Sequence, residues 1–302
     1  MLSRADVEAA LDPDALVDEL AAAFTALSAG EASMPPRAGV EVPGAGTILL
    51  MGAHRHGQPS VTAKLVSVFP DHDPAHQAAI VVFDAATGTP TALMDGDAIT
   101  AARTAAGSRL ATRLLAREDA DVLAVLGTGV QGDAHLRALR REREWAEIRV
   151  WGRRPEPTRE LAARHDAAPA DSAEEAVRGA GVVCVATAAT EPVLSREWLA
   201  SGAHVNSVGF TSHGRELDPA LVRDAFVVVE SRESALAPPP AGSTDLEGAE
   251  ADAELGELVG GAGPRDRLTL YKSVGVGLED DAAAHLALAG AERRRLGRVV
   301  EL

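Results

Sequence analysis

The sequence predicts an α/β protein in which a doubly wound parallel sheet is joined to a second, α+β domain. Short apolar strands alternate with helical segments from residue 119 to residue 271, and a glycine-rich turn follows the first of these strands. A block of apolar runs broken by Gly and Pro precedes them. Strands that alternate with helices build parallel sheets with helices on both faces, whereas the earlier block is typical of antiparallel hairpins.

The first thirty residues have the pattern of a helix. Apolar side chains recur every four positions at Leu16, Leu20 and Phe24, and Ser3 and Pro13 are typical helix-start residues. Gly30 is expected to end this helical run.

The next block, from Thr47 to about Leu93, predicts an antiparallel or mixed sheet. Ala79–Asp84 and Thr89–Met94 flank a short turn, which indicates a hairpin. An Ala-rich helix is expected over Ala98–Ala116.

The second half predicts the parallel sheet. Val130–Arg143 is expected to be helical, and the acidic stretch Glu247–Glu257 is expected to be a solvated helix. A last helix, about Glu279–Arg295, is expected to pack back on the first domain. The predicted domains are therefore 1–116 with 279–302, and 117–278. The predicted strands are Val122–Leu126, Ile148–Trp151, Val182–Ala186, His204–Val208, Phe226–Glu230 and Leu268–Tyr271.

Composition excludes several classes of function. A formal net charge of −16 disfavours nucleic-acid and anionic-membrane partners. With no signal peptide or membrane span in the sequence, and Cys184 as its one cysteine, we expect a cytoplasmic protein without an intrachain disulfide. The His54/His56 and His72/His76 pairs lack a Cys or acid cluster, so no metal site is expected.

The run Gly-Thr-Gly-Val-Gln-Gly follows a predicted strand and opens a predicted helix, as a dinucleotide-binding fingerprint does. Its glycines permit a tight turn and let the backbone approach the pyrophosphate, which would bind at the helix N-terminus. The residues expected at the pyrophosphate are Gly127, Thr128, Gly129, Val130 and Gln131. The next strand ends in Gly152, Arg153 and Arg154 with no acid, which favours NADP, with NAD possible.

The first domain supplies three basic residues that suit capture of a carboxylate: Arg37, Lys64 and Arg103. Lys64 is informative in another way. Lys64 and Lys272 are the two lysines among 29 basic residues, so arginine has not replaced them. Lysine is compact and can exchange a proton, which arginine cannot do. Position alone leaves open that both lysines survived by chance.

Several motifs resemble the ornithine cyclodeaminase/μ-crystallin family, in order along nearly the whole chain. They are Pro35–Arg37, the Lys64 strand ending in Phe69–Asp71, Phe83–Pro90, Leu93–Gly96, Thr100–Ala106, Gly127–Gln131 and Tyr271–Gly275. The resemblance implies a Rossmann-type domain inserted into a substrate-binding and dimerisation domain, and a homodimer. It also implies hydride transfer between a nicotinamide and the α-carbon of a small amino or imino acid.

The resemblance implies roles for individual residues. Arg37, Lys64, Arg103 and Thr104 would bind the substrate, and Lys64 would exchange a proton with its nitrogen. Lys272 is expected to be structural. The residues that would border the ribose and nicotinamide are Thr187, Val208, Gly209, Ser273, Val274 and Gly275.

One departure separates three hypotheses. Ornithine cyclodeaminases carry an aspartate after the Val-Gly turn, where this chain has Thr211, with His213 close by. The favoured hypothesis is an imine or ketimine reductase, or an amino-acid dehydrogenase. The alternatives are an ornithine cyclodeaminase that forms proline and ammonia, and a crystallin-like NADP-binding protein without turnover.

Overall fold

The computed structural model describes residues 1–209, 214–261 and 263–301, and the chain forms two compact units. The first unit is Met1–Arg103 with Gly275–Leu302, and the second is Thr104–Val274. These divisions differ from the expected boundaries after residues 116 and 278. Helix α3 (Gly96–Leu115) is continuous across the first division, and a helical sequence pattern does not show where its packing partners change.

The N-terminal segment forms two helices, α1 (Arg4–Ala10) and α2 (Pro13–Ser28). The Ser3 side chain caps α1, as its sequence position predicted. A new helix starts at Pro13 because the Asp12 side chain accepts from the first backbone N–H groups of α2.

The first unit contains an antiparallel sheet with β2 (Ala38–Val42) paired to β3, and the remaining strands in the order β1-β3-β4-β5-β6. Helix α10 (Gly277–Arg294) packs on α1, α2, β3 and β4. Met51, Lys64 and Ile80 are register partners on the buried face of this sheet. Lys64 therefore points into the interior of the unit. The other strands are β1 (Ala32–Ser33), β3 (Gly46–Arg55), β4 (Ser60–Val68), β5 (His76–Asp84) and β6 (Pro90–Asp95).

The second unit is the predicted doubly wound sheet. Its described strands are all parallel, in the order β13-β12-β14-β11-β10-β7-β8-β9. The order reverses between β7 and β10, and ligands bind beyond the carboxyl ends of strands at such a switch point. The strands are β7 (Val122–Leu126), β8 (Glu147–Trp151), β9 (Ala168–Pro169), β10 (Val182–Val185), β11 (His204–Ser207), β12 (Phe226–Val229), β13 (Ala253–Glu254) and β14 (Thr269–Lys272). The helices are α4 (Val130–Arg140), α5 (Pro155–Arg164), α6 (Ala173–Val177), α7 (Pro219–Asp224), α8 (Arg232–Ala235) and α9 (Leu255–Leu258), with short 3-10 turns at Arg196–Trp198 and Thr244–Leu246.

The prediction of a solvated helix over Glu247–Glu257 is wrong. Residues 247–252 are turn and irregular structure, and the short edge strand β13 and the start of α9 follow them. The Asp252 carboxylate accepts from the backbone N–H of Val227, and Glu254 accepts from that of Arg232. These two carboxylates accept from backbone N–H groups at the sheet edge, and residues 247–257 do not form one continuous helix.

Two further properties concern the described part of the chain. None of its helices combines the length and apolar character needed to cross a membrane. Within the same residues, no group of three or more His, Cys, Asp or Glu side chains is placed to hold a metal ion.

Candidate active site

In the first unit, Lys64 is buried against a carboxylate from α10. Its side chain is 2% exposed, and its Nζ lies 2.6 Å from Asp280 Oδ2. The same Nζ donates to Thr100 Oγ1 at 3.3 Å. Strand β4 presents Lys64 to this face of the sheet, and α10 supplies the aspartate from its first turn.

The two predicted arginines, Arg37 and Arg103, also contact residues at or just before the start of α10. Arg103 Nε donates to Asp280 Oδ1 at 3.2 Å, and its Nη1 donates to Glu279 Oε2 at 3.1 Å. Arg37 Nη2 donates to the Gly275 carbonyl oxygen at 3.2 Å. Gly275 has φ +73°, and a Cβ there would lie 2.6 Å from Arg103 Nη2, so the guanidinium packs directly on this glycine. The structure thus brings the three predicted residues together at the start of α10.

This environment changes the protonation of Lys64. Burial, together with the positive charge of Arg103, lowers the pKa of Lys64 from 10.5 to about 8, although Asp280 and Glu279 oppose the shift. Both protonation states of Lys64 are therefore populated near neutral pH. Two arginines and a titrating lysine can hold a carboxylate and exchange a proton with a group beside it.

Thr104, the other predicted substrate residue, is buried and begins the second unit. Its role in substrate binding stays a prediction. Thr211 and His213, which stand near the expected aspartate position, lie outside the described residues.

In the second unit, the glycine-rich turn joins β7 to α4. Gly127 has φ +121°, and a Cβ there would clash with the Ala186 carbonyl oxygen at the end of β10. Gly129 is the N-cap of α4 and has open space where a Cβ would stand. The Gln131 amide oxygen is buried without a hydrogen-bond partner among the described residues. An open backbone cradle at a helix N-terminus, next to an unpartnered polar atom, fits a dinucleotide pyrophosphate.

The end of β8 carries the residues that were predicted to distinguish the cofactors. The Thr128 methyl group packs on Gly152, where a Cβ would lie 2.6 Å from it. Arg153 and Arg154 are exposed, and neither side chain has an ion-pair partner in the described ranges. Both guanidinium groups are therefore available to an anion.

The remaining predicted cofactor residues follow β10, β11 and β14. Thr187 Oγ1 donates to Glu216 Oε2 at 2.9 Å, and the Gly209 N–H donates to Glu216 Oε1 at 2.9 Å. The Val208 N–H donates to the Val185 carbonyl oxygen at 2.9 Å.

The loop after β14 is held in a similar way. Ser273 Oγ donates to Glu230 Oε1 at 2.6 Å, and the Val274 N–H donates to the same carboxylate. Because the strands are parallel, these loops and the glycine-rich turn share one edge of the sheet. Gly275 belongs to the first unit instead.

Residues 1–292 match the model of the ornithine cyclodeaminase/mu-crystallin family. The chain belongs to this family. It is 41% identical to the ketimine reductase mu-crystallin of Mus musculus over 250 residues, which cover 80% of this chain and 79% of the relative. A solved structure of Thermococcus litoralis Δ1-pyrroline-2-carboxylate reductase in complex with NADH and L-proline has a TM-score of 0.90, with 33% identity over 99% of this chain and 100% of that one. An archaeal alanine dehydrogenase dimer with bound NAD has a TM-score of 0.89, with 26% identity over 99% and 98% of the two chains.

The family motifs did not reveal the acids that contact the predicted residues. In the first unit these are Glu279 and Asp280, and in the second Glu216, Glu230 and Asp245. One signal pointed to such partners, because a lysine in an apolar strand needs a buried carboxylate. The sequence contains 45 acids, however, and spacing alone does not identify the ones that meet it.

Proposed function

We propose that this protein is an NAD(P)-dependent oxidoreductase acting on C–N bonds. It transfers a hydride between the nicotinamide and the α-carbon of a small amino or imino acid. The observation that carries this proposal is Lys64, a buried lysine with a pKa of about 8, placed beside two arginines. A carboxylate with a neighbouring basic nitrogen is the ligand that such a set would recognise.

Each residue of the set has a distinct part in the reaction. Arg37 and Arg103 bind the substrate carboxylate, since a guanidinium pairs with it through two parallel N–H groups. The bound nicotinamide supplies or accepts the hydride. Protonated Lys64 gives a proton to the substrate nitrogen during reduction, and neutral Lys64 takes it back during oxidation. Asp280 contacts both Lys64 and Arg103 and so keeps them at the same point.

The relatives support an imino acid as the substrate class. The mouse relative is named a ketimine reductase, and the Thermococcus structure is a pyrroline-2-carboxylate reductase with L-proline. Ketimines and pyrroline-2-carboxylate present a C=N bond. The first unit of this chain provides one carboxylate-binding arginine pair and one proton donor, which such a molecule needs.

Within this function, NADP(H) is the proposed cofactor. The two structural neighbours described above hold NADH or NAD, so the relatives do not decide the matter. The support comes from Arg153 and Arg154, which are exposed at the end of β8 where a 2′-phosphate would bind.

The reaction is tested by following NADPH and NADH absorbance at 340 nm. The substrates are pyrroline-2-carboxylate, piperideine-2-carboxylate, and pyruvate with simple amines. Oxidation of the cofactor with one of these is expected. Ammonia release from ornithine with no net absorbance change would select the cyclodeaminase instead. Dinucleotide binding without turnover of any substrate would select a crystallin-like binding protein.

We also propose a homodimer formed through the open face of the first unit's sheet. Val40, Leu50, Leu65 and Leu93 project from that face and are 37–56% exposed, and Leu50 and Leu65 are register partners. A contiguous apolar surface of this kind is typical of an interface. An archaeal alanine dehydrogenase of the same fold is described as a dimer.

Light scattering coupled to size exclusion checks this assembly. Wild-type protein is expected at twice the 31.2 kDa chain mass. Leu65→Asp is expected to shift it to the monomer without loss of helix content. A wild-type monomer at micromolar concentration would contradict the proposal.

A further inference from the structure

Lys272, at the end of β14, is fully buried and lies among acceptors from the end of β11, the segment between β11 and α7, and the 3-10 turn Thr244–Leu246. Its Nζ donates to Ser207 Oγ at 2.9 Å and to the Gly209 carbonyl oxygen at 2.8 Å. Asp245 Oδ2 lies 2.8 Å from it and Glu216 Oε1 3.4 Å. All N–H groups of this ammonium are therefore engaged inside the second unit.

The carboxylates of Glu216 and Asp245 also accept hydrogen bonds from residues at the carboxyl edge of the sheet. Glu216 accepts from Ser207 Oγ at 2.6 Å, as well as from Thr187 Oγ1 and the Gly209 N–H. Asp245 Oδ1 accepts from the backbone N–H groups of Glu216 at 3.0 Å and of the next residue at 3.1 Å. The Lys272 network thus ties the loops after β10 and β11, and the turn that contains Asp245, to the end of β14.

The charge balance shows why a cation is needed there. Glu216 and Asp245 are buried, and without Lys272 their two negative charges would face each other in a low-dielectric interior. Although burial opposes it, the two carboxylates raise the pKa of Lys272 above 10.5. Lys272 therefore remains protonated near neutral pH, and it cannot serve as a proton donor in the way that Lys64 can.

We propose that Lys272 is a positioning residue for the nicotinamide end of the cofactor, a proposal that rests on the proposed function. It acts through Gly209 and Glu216 on Thr187 and the backbone after β11, which are the positions expected beside the ribose and nicotinamide. In this role it acts through other residues, because its ammonium is fully buried and bonded to protein acceptors. Lysine suits the position because its compact ammonium reaches several acceptors at once, whereas the flat guanidinium of arginine is wider.

The test compares two ligands, one of which lacks both the nicotinamide and its ribose. Calorimetry measures binding of NADPH and of 2′-phospho-ADP, or of NADH and ADP if the wild type prefers NADH. In Lys272→Met, dinucleotide affinity is expected to fall about tenfold or more, because the hydrogen bonds that hold the nicotinamide loops are lost. Affinity for the ADP probe is expected to stay within about twofold, because none of the network's hydrogen bonds among the described residues reaches the glycine-rich turn.

A matched control separates positioning from general loss of stability. Leu123→Ala removes a buried side chain near the start of β7, away from the carboxyl edge, and should lower the melting temperature without changing the ratio of the two affinities. Equal weakening of both ligands by Lys272→Met, or wild-type affinity for both, would overturn the proposal. If Lys272→Met shows no cooperative melting transition, Glu216→Gln replaces it in the test. The same ratio of dinucleotide affinity to probe affinity is then measured for that variant. A wild-type protein that binds neither dinucleotide would overturn the proposed function as well.

Discussion

Replacing Lys64 by arginine keeps the positive charge but removes the ability to exchange a proton near neutral pH. The prediction depends on the buried position of Lys64, whose pKa is lowered to about 8. Arginine stays protonated throughout the accessible range. Turnover in Lys64→Arg is expected to fall by about 10² to 10⁴, the usual contribution of a general acid or base.

The pH profile gives the sharper result. With a pKa of about 8, the protonated fraction of Lys64 falls about tenfold between pH 7 and pH 9. The kcat/KM for imine reduction should fall by that factor, and the kcat/KM for amino-acid oxidation should rise by it over the same interval. Both inflections should be absent from Lys64→Arg. The assay is initial-rate kinetics at 340 nm in both directions, in buffers of constant ionic strength.

The pH dependence of the free energy of unfolding tests the lowered pKa of Lys64 independently of the kinetics. The folded pKa of Lys64 is lowered, so the unfolded chain binds more protons between pH 8 and 10.5 and the free energy of unfolding rises with pH across that window. The shift of 10.5 to about 8 corresponds to about 3 kcal/mol, and this increment should be missing from Lys64→Arg. Chemical denaturation of both proteins at pH 7.5 and 10.5 measures it.

The control for the kinetic experiment is Arg103→Lys. This variant keeps the positive charge near Lys64 but loses bidentate pairing with the substrate carboxylate. It should raise KM and leave the inflection near pH 8 in place. An inflection that persists in Lys64→Arg, or full turnover by that variant, would refute the assignment of Lys64.

Three further variants, one of them a double substitution, test other parts of the site. Asp280→Asn removes the charge that most opposes the lowering of the lysine pKa, so the kcat/KM inflection should move to lower pH by about 1 to 2 units in the same kinetic assay. Arg153→Ala combined with Arg154→Ala should lower kcat/KM for NADPH by about 10- to 100-fold and leave that for NADH within about threefold, and an equal loss with both cofactors would contradict the 2′-phosphate assignment. Gly129→Ala should keep the wild-type melting temperature, because its Cβ meets open space, yet weaken dinucleotide binding about tenfold or more in calorimetry, since the methyl group occupies the pyrophosphate approach. Its matched control, Gly127→Ala, should lose folding stability itself, because its Cβ clashes with backbone at φ +121°.

The parallel-sheet unit was predictable because its strands are short, apolar and buried on both faces. The strand predicted at Val122–Leu126 and the start of the helix at Val130 both agree with the structure. Local capping chemistry was readable too, as at Ser3. The acidic stretch Glu247–Glu257 was not, because its carboxylates pair with backbone donors of residues more than twenty positions away. The composition of a segment indicates how polar it is, but it does not identify hydrogen-bond partners that are distant in the chain.

For the site, too, the sequence predicted the functional residues but not their distant partners. Arg37, Lys64 and Arg103 were found from residue type and motif, and the structure gathers them at the start of α10. The acid that joins two of them, Asp280, lies 216 positions from Lys64 in the chain. Only the antiparallel sheet packed against α10 brings the two together, and no local pattern encodes that contact.

The two lysines show what the arginine bias measures. Both are buried and both meet carboxylates, so burial with an acid accounts for the retention of lysine in each case. The difference between them is the number and placement of the charges. Lys272 has two carboxylates within 3.4 Å, and they hold it protonated. Lys64 shares Asp280 with the cation Arg103, so its burial is compensated less and its pKa falls to about 8. The presence of Arg103, which is needed to bind a carboxylate, is thus also part of what makes Lys64 able to release a proton. An Arg103→Met variant should therefore raise the pH of the kcat/KM inflection as well as KM, whereas Arg103→Lys should raise KM alone.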